Sequence, residues 1–413
     1  MSHEQLHEVQ SAKLRHLITH AYTRVPYWRD LMDRSGVDPR DIRIPADLVQ
    51  LPVTTKEGMR ERPFNDVVAS GVPEDQYVAL KSSGSQGAPF EVRFTREDRS
   101  WWRLLALRGW LANGYRINDR MLVIHDERQA PHGKRWFERL GMFRQSYSSL
   151  YTPAPEQADV AERYRPEVVR GITSDVALLA RTLQARGTDL VTPRLVLTSA
   201  ELMDEPTRRV IESGFGVTPS DFYGSIETGW IAWECPMHRG YHFNSDCLIV
   251  EFLREGRPVA PGEPGEIYVT NLHSYAMPFI RYSVGDMGTP IDTLCTCGCL
   301  LPLMETVDGR VIDCITLPDG RLISPYRLTC TIEHVPGIDR YQIIQKTHEH
   351  IDVSIIPDAR FSEETTSLVT TLLEALFEQH IRVDTFIVDR LPKDESGKFR
   401  VVRTEIGTRD APN

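Results

Sequence analysis

Apolar side chains at Leu14, Leu17, Ile18 and Ala21 recur at i, i+3, i+4 and i+7, which predicts an amphipathic helix over residues 4–22. The run Val25, Pro26, Tyr27, Trp28 ends it, because proline biases its predecessor away from helical angles. The period then shortens. YVAL, ending at Leu80, and EVRF, Glu91 to Phe94, are β-type runs flanking a small-residue loop, KSSGSQGAPF, from Lys81 to Phe90. RSWWRLLALRGWL, Arg99 to Leu111, predicts a helix packed over that loop. RMLVIHD, Arg120 to Asp126, and LVLTS, Leu195 to Ser199, have the short apolar runs of buried strands. After the second comes AELMDEPTRRVIESGFG, a helix with acidic residues in its first turn, where the macrodipole favours them. This strand, loop, helix, strand rhythm predicts an α/β sheet domain. CLIVEF, Cys247 to Phe252, and GEIYVT, Gly265 to Thr270, add strands divided by the turn-rich LREGRPVAPGEP.

Beyond Arg310 to Asp313 the pattern changes to α+β. A hairpin is expected over Arg340 to Ile356, a helix over Ser362 to His380 with Val369, Leu372, Leu373 and Leu376 on one face, and a strand over Thr385 to Val388. The domains are therefore expected at 1–309 and 310–413.

Length supports two domains, since 413 residues exceed the ~250–300 at which single cores stop growing. Hydrophobic residues at 41% and charged ones at 26% describe an ordinary globular chain. A net charge of -10 argues against nonspecific nucleic-acid binding, which needs a surplus of Lys and Arg. No apolar run approaches the ~18 residues of a membrane span, and MSHEQLHEVQ lacks a signal-peptide pattern, so no membrane partner and a cytoplasmic location are expected. Seven cysteines, odd in number and clustered, suit a reducing compartment with metal or free thiols.

Four groups of residues carry candidate chemistry. In the small-residue loop, Ser82, Ser83, Gly84, Ser85 and Gly87 bring backbone N–H groups and hydroxyls together with little bulk, a concavity suited to a polyphosphate, although a hairpin turn has the same composition. His125 ends a buried strand where substrate groups sit in α/β folds, and a histidine satisfied by a loop carbonyl fits there equally. CPMHRGYH carries Cys235, His238 and His242, and CTCGC carries Cys295, Cys297 and Cys299, thiolate and imidazole donors clustered as in structural zinc sites. These are more candidates than the four places of a tetrahedral ion, and free thiols without a metal remain an alternative.

The fourth group is an ordered set of motifs: the Ser/Gly loop, YGSIETG from Tyr223, RYSVGD from Arg281, DGRVID from Asp308 and PKDESGKFR from Pro392, with Thr95, Arg96, Glu97 and Asp98 following the loop. This set resembles the adenylate-forming superfamily of acyl-CoA ligases, luciferases and adenylation domains, and in detail its phenylacetate-CoA ligase branch. The resemblance implies a large multi-subdomain N-terminal α/β adenylation domain and a small mobile α+β C-terminal lid. It implies that ATP and a small carboxylic acid, aryl or arylacetic by default, form an acyl-adenylate that passes to coenzyme A; an amine, a carrier protein or another nucleophile is the alternative acceptor. The serine and glycine positions would hold the β and γ phosphates. Ser199, Ala200 and Glu201 would line the adenine pocket, and Asp221, Phe222, Tyr223 and Gly224 match the segment whose tyrosine stacks on the base. Glu227 would hold Mg²⁺, Asp286 the ribose hydroxyls and Arg310 the ribose or phosphate. Lys398 would bridge the carboxylate and the α-phosphate, then withdraw as the lid turns. Some members of the branch bind structural zinc, which here implies Cys235, His242, Cys295 and Cys297, with His238 and Cys299 competing for places. From Glu127 to Pro153 the chain is aromatic and basic and departs from the glycine-rich segment of phenylacetate enzymes, so the acid is not named. A homodimer is allowed but not specified.

Overall fold

The computed structural model describes residues 2–81, 90–125, 136–149, 152–310, 315–318, 322–323, 328, 331–332, 335–377, 381–391 and 401–406. The N-terminal stripe is a helix, His3–Arg24, started by a capping box between Ser2 and Gln5. The helix ends at the VPYW run, as the sequence predicts. Val25 is extended, and Pro26 opens a second helix, Pro26–Ser35, because proline's missing N–H costs nothing in a first turn. Leu14, Leu17 and Ile18 bury against Trp28, Phe279 and Tyr282.

The predicted hairpin strands are β1 (Val78–Lys81) and β2 (Glu91–Phe94), paired antiparallel. The loop between them, with Ser82, Ser83, Gly84, Ser85 and Gly87, lies outside the described residues. A twelve-stranded sheet forms the body of the first unit. Its parallel half contains β3 (Arg120–His125), β4 (Arg144–Ser149), β5 (Val168–Ile172), β6 (Leu195–Ser199) and β7 (Ser220–Ser225). Then come β8 (Gly229–Glu234), β9 (Tyr241–Phe243), β10 (Leu248–Arg254), β11 (Arg257–Pro258), β12 (Gly265–Asn271), β13 (Tyr282–Ile291) and β14 (Leu303–Arg310), with spatial order β11-β10-β12-β13-β14-β9-β8-β7-β6-β5-β3-β4.

Alternation along the parallel strands divides them between two covers. Leu122, Ile124, Val169 and Val196 pack on helices Ala154–Tyr164, Thr173–Arg186 and Glu205–Phe215. Met121, Val123, Val168, Leu197 and Phe222 form the other face, against Leu107 and Trp110 of helix Arg96–Ala112. That helix sits close because residue 109 is glycine: a Cβ there would lie 2.4 Å from the Phe222 ring. It starts earlier than its tryptophans suggest, since Thr95 and Asp98 make a capping box. The helix after Ser199 also begins later than predicted, at Glu205, where Asp204 accepts from the Thr207 N–H at 2.8 Å.

One compact unit ends at Thr306; the other begins at Val307 and takes in Gly285–Gly288. The second contains the short pair β15 (Ile315–Thr316) and β16 (Leu322–Ile323) and a sheet of β17 (Ile338–Thr347), β18 (His350–Pro357), β19 (Arg382–Ile387) and β20 (Val402–Thr404) in the order β19-β18-β17-β20. Val369, Leu373 and Phe377 from helix Glu363–Leu376 and its C-cap complete a core with Ile343, Ile351, Val353 and Ile355. Lys398 lies outside the described residues. Among the described residues no helix is long and apolar enough to cross a membrane.

Candidate active site and metal centre

Parallel strands gather polar groups at their carboxyl ends. In register, Ile172 pairs with Ser199 and Ser199 with Phe222, so residues from β5, β6 and β7 arrive at one edge. Ala200 turns the chain away with φ of 73°, a left-handed conformation uncommon for a residue with a Cβ. The Thr173 hydroxyl lies 3.4 Å from both the Ser199 and Glu201 carbonyls and fixes this turn. Beside it, burial and the Glu201 charge push Asp175 up to about 6.

Tyr223 and Gly224 lead into a tight hairpin to β8. A Cβ at residue 224 would lie 2.4 Å from the Gly229 carbonyl oxygen, and one at 229, where φ is 77°, would strike Trp102 at 2.3 Å. Both positions therefore require glycine. Glu227 sits in the hairpin turn and is buried, with 7% exposure. Its Oε1 lies 3.4 Å from Lys56 Nζ. Tyr282 lies near Glu227; burial and this charge push that phenol well above its ordinary value. Lys56 and Tyr282 were not assigned from the sequence, although LPVTTKE contains the lysine and RYSVGD the tyrosine.

Asp221 belongs to the same motif as Tyr223, but its side chain points elsewhere. Strand alternation sends its carboxyl to the face opposite Phe222, where it accepts from Thr198 Oγ1 at 2.9 Å and the Tyr241 hydroxyl at 3.0 Å. Its N–H donates to Glu234 at 2.9 Å, and Glu234 also receives Arg208 at 2.9 Å and approaches His238 Nδ1 at 3.0 Å. Burial and the Glu234 charge push Asp221 up to about 7. Its side chain is thus fully engaged on that face. Arg281, heading its motif, is also buried, held by Glu251 at 2.9 Å and by the Leu51 carbonyl at 2.6 Å. Asp286 lies within β13, and Arg310 is the last residue of β14.

The structure gathers Cys235, His242, Cys295 and Cys297, whose donor atoms all lie within 4.8 Å of one another. Cys235 Sγ and Cys295 Sγ are 3.5 Å apart, and Cys297 Sγ is 3.3 Å from His242 Nε2. Two sulfurs at ~2.3 Å from one tetrahedral zinc would be about 3.8 Å apart, so the cluster has the right size. The other imidazole nitrogen, His242 Nδ1, lies 3.1 Å from the Leu301 carbonyl, which favours the tautomer that turns the Nε2 lone pair toward the sulfurs. Burial pushes this histidine below its ordinary value, toward the neutral form a metal needs. Backbone N–H groups of Met237 and Cys299 point at Cys235 Sγ and Cys297 Sγ from 3.3 and 3.4 Å. His238 turns instead to Glu234, and the Cys299 side chain packs against the apolar cluster that contains Phe222 and Trp233. β14 pairs with β9 through Leu303 and His242, bringing the two halves together.

A family model described as the CapK C-terminal domain matches residues 315–405. A phenylacetate-coenzyme A ligase of Escherichia coli is 30% identical over 367 residues, 84% of this chain and 81% of that one. Another, from Thermus thermophilus, is 28% identical over 367 residues, covering 84% of this chain and 80% of that one. A crystal structure of 2-hydroxyisobutyryl-CoA ligase in the postadenylation state, with R3-HIB-AMP, superposes with a TM-score of 0.80 at 17% identity, over 98% of this chain and 90% of that one; this likeness concerns the fold alone. With the E. coli relative at this identity and coverage, the chain belongs to the phenylacetate-CoA ligase family of adenylate-forming, AMP-releasing acid–CoA ligases.

Proposed function

We propose that this chain activates a small aryl or arylacetic acid with ATP, releasing pyrophosphate, and passes the acyl group from the adenylate to the thiol of coenzyme A. A carboxylate resists attack because its carbon is shielded by delocalised negative charge. Joining it to the α-phosphate provides AMP as a leaving group. The task of the protein is to hold two anions together and neutralise the charge that develops. The observation that carries this reading is Glu227, a buried carboxylate at the closed hairpin between Tyr223 and Gly229 with Lys56 beside it.

Ser82, Ser83, Gly84, Ser85 and Gly87 hold the β and γ phosphates. Tyr223 stacks on adenine, Ser199, Ala200 and Glu201 line its pocket, and the Asp221, Phe222 and Gly224 backbone completes the wall. Asp286 accepts from the ribose hydroxyls and Arg310 steadies the ribose or phosphate. Glu227 is the hard oxygen ligand for Mg²⁺, which when bound neutralises phosphate charge. Lys398, a compact cation on a flexible stem, joins the acid to the α-phosphate. The C-terminal lid, residues 310–413, carries this lysine. Cys235, His242, Cys295 and Cys297 would hold a structural zinc, and a reducing cytoplasm keeps these thiols available.

Replacing Lys398 by Ala is expected to abolish acid-dependent pyrophosphate exchange while leaving thermal stability nearly unchanged. Wild-type rates would remove that lysine from the site. For the metal centre, protein purified without chelator or affinity metal should hold close to one equivalent of zinc, and less than half an equivalent would contradict the assignment.

A further inference from the structure

Strand β5 carries one charged side chain in an otherwise apolar run, VVRGI. Val168 faces the cluster that includes Trp110 and Tyr147, and two residues on Arg170 shares that face. Its register neighbours are Val123 on β3 and Leu197 on β6. The guanidinium carbon lies 5.1 Å from the centre of the Trp110 ring, in cation–π contact. Among the described residues Arg170 has no carboxylate partner and donates no hydrogen bond, and the negative end of its surroundings is supplied only by the ring and the nearby Tyr147. Two other deeply set arginines packed beside this sheet, Arg208 and Arg281, each hold a glutamate.

A buried, unpaired guanidinium is expensive, because desolvation is not repaid by an opposite charge. Burial holds the group below its ordinary pKa, yet the side chain is only half-buried, still touching open space. It is therefore set deep on the sheet while still open on one side. Its face of the sheet ends at Ser199 and Phe222, two residues beyond Arg170 in register, or about 7 Å at ~3.3 Å per residue.

We propose that Arg170 recognises a second acidic group on the substrate, so that the acid activated here is an aryl dicarboxylic acid whose far carboxylate pairs with this guanidinium across the width of the ring. The inference rests on the activation chemistry proposed above and adds the substrate class. Arg170 is a specificity residue in this scheme; it touches the end of the substrate that does not react, and leaves the adenylated carboxylate to the strand ends. Binding the second carboxylate would supply the partner that the described residues lack, with Trp110 supporting the guanidinium plane from its other side.

The test compares matched acids, phenylacetate with carboxyphenylacetate and benzoate with benzene dicarboxylate, in pyrophosphate exchange by wild type, Arg170→Gln and Arg170→Lys. Wild type should favour the diacid in kcat/KM. The diacid-to-monoacid ratio should fall about thirtyfold or more in Arg170→Gln, the loss expected when one member of a buried charge pair is removed, with partial recovery in Arg170→Lys. Calorimetric titration of each protein with diacid alone gives a readout independent of turnover, and binding should weaken in the same order. A ratio that is the same in wild type and Arg170→Gln, with equal diacid affinity, would overturn the inference. If no acid supports exchange, the activation reading fails, and the titrations still decide whether Arg170 binds a carboxylate.

Discussion

The two faces of the parallel sheet treat buried charge in opposite ways. Behind β7, Asp221, Glu234, Arg208, His238, Tyr241 and Thr198 form a closed set in which hydrogen bonds join the charged groups. In front, Arg170 has an aromatic ring and no carboxylate among the described residues. A satisfied network fixes structure: it ties β7 to the start of the Cys235 knuckle through Glu234. A charge with no carboxylate partner among the described residues ties nothing together there, and a bound carboxylate would offset its cost.

The largest effect should come from breaking the closed set. Glu234→Ala leaves Arg208, His238 and the Asp221 N–H without their acceptor and should cost about 3–5 kcal/mol in denaturant unfolding, with pyrophosphate exchange per folded molecule little changed. A smaller effect concerns pH. Asp221 is raised from an ordinary carboxylate value to about 7, so the folded state binds a proton that the unfolded state has released across that interval. Its contribution to stability is therefore greatest at acid pH and is lost as pH rises toward 7. Asp221→Asn should flatten the dependence of unfolding free energy between pH 4 and 7, and an unchanged slope would show that Asp221 is not the group responsible. The smallest effect lies on the open face: Arg170→Met replaces a half-buried cation that has no carboxylate partner among the described residues by an apolar side chain and should raise the unfolding free energy by about 1 kcal/mol.

The difference between these faces was only partly legible in the chain. Apolar runs such as RMLVIHD and LVLTS placed the strands because periodicity reports burial directly, and the α/β class followed. Boundaries depended on local chemistry instead: the capping box of Thr95 and Asp98 moved one helix forward, and Ala200 and Asp204 moved another back. His238 and His242 looked equivalent by spacing, and only the fold turns the first to Glu234 and the second to Cys297. Asp221 adjoins Tyr223 in a motif, but period-two alternation across β7 sends its carboxyl away from Phe222, a consequence that needs the strand to be known first. Arg170 gave no sequence signal at all, since one arginine in an apolar strand is unremarkable until its neighbours can be checked for a counter-charge.

The most direct measurement of the central claim is to incubate the protein with ATP, coenzyme A and a panel of aryl mono- and dicarboxylic acids and to follow AMP, pyrophosphate and thioester together. The account predicts that AMP, pyrophosphate and acyl-CoA appear in equal amounts and only when an acid is supplied. Release of ADP, or AMP formation that coenzyme A does not convert into thioester, would contradict it.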